Sequence, residues 1–238
     1  MRLMLLPCLV LAAATVQAAE EGVRMTVQDD ERMLESKEML EMPSPEGAEG
    51  KAKLHKEPRF RFQMPAKPGY SGKIIQCKKK YWGVTLGGKI LDLGGKDQPA
   101  RLSKELLHGG ADDAMQLLGY AADGFPVYND MAPKDPKDLH SPLRRMVPGY
   151  RKAGDGESFE YVGILGDLDE CNGREGVTPE YPLGTYYYVI SLDYPYVPRC
   201  WKGSPDPSFR PQEKPKPGSK ETATPASGSK PPKPDDPF

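Results

Sequence analysis

Thr185-Tyr186-Tyr187-Tyr188-Val189-Ile190-Ser191-Leu192 is the most strand-like stretch of the chain. Aromatic and β-branched residues favour an extended backbone, in which successive side chains point to opposite faces. That alternation places Tyr186, Tyr188 and Ile190 on one face and Tyr187, Val189 and Ser191 on the other. Shorter runs upstream repeat the pattern. Arg59–Met64 alternates at period two, and Lys73–Cys77, Tyr81–Leu86, Lys89–Leu93 and Ser158–Leu165 read as further strands. Gly87-Gly88 is a hairpin signal, and Asp123-Gly124 is another, set between Gly119–Ala122 and Phe125–Tyr128. Leu102–Leu107 and Asp112–Leu118 are expected as short helices, with Ser103 and Asp112 as caps. The expected fold is mainly β: a single antiparallel β-rich domain with long Pro/Gly loops, one or two short helices and disordered flanks.

Outside that middle the composition changes. The 238 residues are only 37% apolar and include 26 Pro and 25 Gly, too polar for one core of that length. The first 18 residues read as a secretory signal, with Arg2 as the positive start, an apolar stretch over Leu3–Val16, and Val16-Gln17-Ala18 before the cut. An uncleaved anchor is the alternative, although the apolar stretch is short for a bilayer span. Beyond it no transmembrane segment is expected. Residues 19–58 are charged and Met-rich. They read either as a solvated, mostly disordered linker or as a short helix from a Thr26 cap to Met42, stopped by Pro43 and Pro45. The domain is expected over 59–202. Residues 203–238, rich in Pro, Lys and Ser, bury too little to offset ordering entropy and are expected to be disordered.

Charge and motifs exclude several functions. Lys and Arg number 33 against 34 Asp and Glu, which removes the basic excess a generic nucleic-acid binder needs. The chain has no G-x-S-x-G, H-E-x-x-H or G-x-G-x-x-G, and its Gly-Lys pairs lack a P-loop frame. Gly166-Asp167-Leu168-Asp169-Glu170-Cys171-Asn172-Gly173 gathers three carboxylates and an amide in one turn. Close oxygen ligands suit Ca²⁺, but the spacing fails an EF-hand, and an Asx-type turn explains the same residues. His108 and His140 are the two histidines available for a transition metal. Solvated loop histidines are the alternative. The late aromatics, Tyr181 to Trp201, offer rings for stacking on sugars or peptides, or simply core.

Several ordered motifs resemble YHYH-domain proteins. Leu117–Tyr128 is similar to that family's GYAxDGFPIY segment, and Gly83–Gly88 to its hairpin. Cys171-Asn172-Gly173, Thr178–Pro182, Gly184–Tyr188, Tyr194-Pro195-Tyr196 and Pro198–Gly203 follow in order, and the likeness spans about 81–209. The resemblance implies an exported protein of a family whose role is largely unassigned. Its eponymous Tyr-His-Tyr-His would place two histidines on one strand face. Here Tyr187 and Val189 stand at those positions, so a metal role would have lost most of its ligands. Cys171 and Cys200 fall in two of the matched motifs, which pairs them in a disulfide and leaves Cys77 over.

These observations favour an exported, periplasmic or extracellular, binding or structural module without catalytic activity. Its expected contact surface lies near Asp123, Asp167, Asp169, Glu170 and Tyr187, and its expected partner is a cell-envelope protein or a glycan. The alternative is a degenerate or altered metal-dependent enzyme of the cell envelope, using His108, His140 and the acidic turn. A thiol redox role through Cys77 ranks last, since no resolving cysteine lies near it in sequence.

Overall fold

The structure, a computed structural model, describes residues 23–36, 60–77, 81–93, 98–108 and 113–209. The expected signal segment 1–18, the rest of the expected linker with His55, Lys78–Lys80, the expected Asp112 cap and the tail beyond Phe209 lie outside the described residues.

The described part is mainly β. Its strands are β1 (Val23–Gln28), β2 (Glu31–Ser36), β3 (Phe60–Pro65), β4 (Ile75–Gln76), β5 (Tyr81–Thr85), β6 (Ile90–Asp92), β7 (Leu117–Ala121), β8 (Pro126–Tyr128), β9 (Met131–Pro133), β10 (Leu143–Arg145), β11 (Tyr150–Lys152), β12 (Phe159–Tyr161), β13 (Gly173–Gly176), β14 (Thr185–Val189) and β15 (Cys200–Trp201). One α-helix, α1 (Gln98–His108), precedes β7, and a 3₁₀ turn over Pro207–Phe209 closes the described chain.

The central sheet has six strands in the order β13-β14-β8-β7-β5-β6. Its pairings are antiparallel except β14 beside β8, which run parallel. The Tyr-rich strand is thus interior to the sheet, where both faces are covered. Tyr186, Tyr188 and Ile190 pack with Trp82, Val84, Phe125 and Trp201 in the larger core. Tyr187 and Val189 pack with Tyr128, Met146 and Leu168 in a second cluster. The alternation read from the sequence holds, and each face buries its own set.

Two expected helices fold differently. Thr26 does not cap a helix. Residues 23–36 form the β1–β2 hairpin, which extends to β3 in a three-stranded antiparallel sheet. Asp29 and Asp30 turn it with positive φ, a conformation Asp tolerates better than most residues. Its inward residues meet a surface supplied by distant sequence: Leu34 is fully buried, with Phe62 and Met64, in the larger core. Arg32 is buried too, with its guanidinium 3.6 Å from the Tyr120 ring centre and N–H groups reaching the Pro65 and Gly124 carbonyls at 3.4 Å. The chain that packs on the domain therefore begins well before residue 59 and continues past 202, where Phe209 stacks on Phe62 at 4.5 Å.

The second helix, expected over 112–118, gives way to β7, because Gly119 and Tyr120 pair with β5 on one side and β8 on the other. Ser103 lies inside α1 rather than at its start, and its hydroxyl donates to the Ser191 carbonyl. The strand expected over 158–165 is confined to Phe159–Tyr161, paired with β11.

Candidate functional site

The acidic turn forms from its own side chains. Asp169 accepts the Cys171 N–H at 2.9 Å and the Gly173 N–H at 3.1 Å, an Asx-type closure. Asn172 takes a positive φ of 57°, and its amide donates to the Val189 carbonyl at 2.8 Å. The Cys171–Cys200 disulfide ties the turn to β15. Cys77 directly follows the neighbouring strand β4, and its backbone N–H donates to the Arg199 carbonyl at 2.8 Å.

Each carboxylate of the turn meets a cation of the chain itself. Arg144 grips Asp167 with both guanidinium nitrogens, one at 2.7 Å, and the Val147 N–H adds a bond at 3.0 Å. Burial works to raise the Asp167 pKa, but these partners outweigh it and hold the group below the ordinary carboxylate value. Lys202 reaches Asp169 at 2.9 Å and Glu170 at 3.3 Å. Burial opposes the charge on Lys202, yet the two carboxylates raise its pKa above the usual lysine value. Among the described residues, no group of three or more His, Cys, Asp or Glu is placed to hold a metal ion. His140 is exposed in a loop, with its backbone N–H on Asp138 at 2.9 Å. His108 ends α1, and its side chain lies outside the described ones.

Above the turn lies an open cleft of about 410 Å³. Asp167 and Asp169 border it, with Tyr70, Tyr161, Arg174, Glu175, Tyr186 and Lys202. Tyr186 forms part of its wall. The Tyr186 hydroxyl donates to Asp169 at 3.0 Å, and burial followed by the Asp169 charge pushes its pKa well up. Tyr70 and Tyr161 remain 54% and 36% exposed, which leaves ring surface for a ligand.

The other residues named from the sequence take different places. Glu170 stands beside the cleft and positions Lys202, while its carbonyl accepts the Tyr150 hydroxyl at 2.7 Å. Asp123 does not line the cleft. It is 1% exposed, and accepts the Tyr188 hydroxyl at 2.7 Å and the Gly203 N–H at 2.9 Å. Burial raises its pKa to about 6 despite those donors. Tyr187 is fully buried in the second cluster, edge-on to Tyr128 at 5.4 Å. That burial removes it from the surface, and its hydroxyl has no hydrogen-bond partner among the described residues. The sequence reading missed Tyr70 and Glu175, whose hydroxyl–carboxylate contact spans 2.5 Å between distant segments. An aromatic in the Pro/Gly-rich loop Pro68-Gly69-Tyr70-Ser71-Gly72 was the available signal for the first.

A disulfide-tied, mainly β domain with an aromatic and acidic cleft over its Cys-Asn-Gly turn is the class these features define. Residues 96–203 match the family model described as YHYH protein. The match is narrower than the stretch of likeness read from the motifs, and it contains both cysteines and the Tyr-rich strand. No curated protein and no solved structure matches the chain. Among the described residues, no helix is long and apolar enough to cross a membrane.

Proposed function

We propose that this protein is an exported, non-catalytic binding module and that its cleft takes a neutral glycan. The observation that carries this reading is the pairing of exposed Tyr70 and Tyr161 with polar groups already held in place. Tyrosine rings cover the apolar faces of sugar rings, and fixed carboxylates, lysine and arginine serve hydroxyl groups. Because Asp167, Asp169 and Lys202 are oriented by the protein, little side-chain ordering is left to oppose binding. Acids and bases nearly balance around the cleft, which suits a ligand without strong charge. A protein partner would want a buried apolar anchor, and Leu168, the one aliphatic residue in the lining, is 2% exposed.

Export is supported by the disulfide, which persists in oxidising compartments, and by the leader-like N-terminus. The test is retention of the protein on insoluble cellulose, chitin and xylan. Retention on at least one, lost in Tyr161→Ala with the circular dichroism unchanged, is the expected result. Equal retention of the variant, or retention on none, overturns the reading.

A further inference from the structure

The cleft does not end at Tyr70. A second cleft of about 930 Å³ adjoins it, and Tyr70, Glu175 and Tyr186 border both. The Tyr70 hydroxyl donates to Glu175 across that shared wall, linking the segment after β3 to β13. The second cleft differs in chemistry. Pro68, Phe125, Val177, Pro182 and Leu183 give it apolar walls. Leu183 is fully exposed, at 101%, so no packing among the described residues accounts for it. The next residue, Gly184, has φ of +93°, which fixes the tight turn that presents Leu183.

Resting on the glycan reading, we infer that the two clefts are subsites of one groove for a linear oligosaccharide of N-acetylated amino sugars. The polar, aromatic subsite accommodates hydroxyl-bearing ring faces. The apolar subsite gains from burying acetyl methyl groups, which a sugar bearing only hydroxyls lacks. An acetamido N–H also needs an acceptor. Glu175 stands at the junction, exposed, with the Tyr70 hydroxyl as its partner and no basic group paired to it among the described residues. A ligand confined to one cleft would leave the other chemistry unused, so affinity should depend on chain length.

Calorimetric titration of the full chain with N,N′-diacetylchitobiose, tetra-N-acetylchitotetraose and cellotetraose tests this. The acetylated tetrasaccharide is expected to bind about tenfold tighter than the disaccharide and than cellotetraose. Leu183→Asp, at a site too exposed to disturb folding, is expected to remove the tetrasaccharide's advantage, and Tyr161→Ala to weaken all binding. Equal affinity for the two acetylated sugars overturns the single groove. Equal affinity for the two tetrasaccharides overturns the acetyl preference. Retention on cellulose or xylan with no binding of the acetylated sugars overturns this inference alone, whereas retention on no polysaccharide overturns the glycan reading with it.

Discussion

The Tyr188 hydroxyl donates to the buried Asp123 carboxylate at 2.7 Å, and the same oxygen accepts the Gly203 N–H at 2.9 Å. One carboxylate thus joins the β7–β8 turn, the Tyr-rich strand and the segment that follows Trp201. Its second oxygen is buried and has no hydrogen-bond partner of good geometry among the described residues. Burial raises the folded-state pKa to about 6, above the value of about 3.9 for a free aspartate. Between those values the folded chain holds a proton that the unfolded chain releases. The contribution of Asp123 to stability is therefore full below about pH 4 and is lost as pH rises through about 6. Asp123→Asn, neutral throughout, should flatten this part of the profile. Urea midpoints from pH 4 to 7 for both proteins check it, and parallel profiles would refute it.

Tyr187 occupies a position where the family motif implies histidine, yet it serves the core. Its ring packs on Tyr128, and its buried hydroxyl has no hydrogen bond among the described residues. Tyr187→Phe keeps the ring and removes the orphaned group. We expect stability to rise by about 1 kcal/mol in urea unfolding, with polysaccharide retention unchanged. A loss of retention would place Tyr187 in the site after all.

The disulfide closes a segment with a sequence separation of 29. The chain-entropy relation for that length gives about 3–4 kcal/mol. Replacing both Cys171 and Cys200 by Ala should lower the unfolding free energy by about 3 kcal/mol. It should also loosen the acidic turn, seen as faster amide exchange at Asn172 and Gly173. A stability change under about 1 kcal/mol would mean that packing alone holds the turn.

Gly119 lies in β7 against β5, where an added Cβ would sit 2.1 Å from the Val84 carbonyl oxygen. The contact is backbone, so no side chain can swing away to relieve it. Gly119→Ala should destabilise by about 3 kcal/mol or prevent folding, read by thermal unfolding.

The strands were legible where alternation is strong, as over Tyr186–Val189, because a period of two needs no knowledge of the partner. Which of its faces holds a site was not legible. An interior strand buries both, so Tyr187 looked as available as Tyr186. The β1–β2 hairpin was missed because its apolar residues, Met25 and Leu34 among them, are sparse and separated by charges. Their burial depends on Phe62 and Met64, which reach them only through the fold. The acidic turn was visible as a cluster, but its Lys202 and Arg144 partners come from outside it. Tyr70 and Glu175 stand 105 residues apart, and no local pattern joins them.

Binding at the cleft over the acidic turn should leave a footprint on the segments that line it. Hydrogen–deuterium exchange of the full chain, with and without a soluble fragment of whichever polysaccharide retains it, tests this directly. Protection is expected in residues 68–72, 161–175 and 184–188, with the 23–36 hairpin unchanged. Protection confined to the hairpin or to the β9–β10 pair, with the cleft segments unaffected, would contradict it.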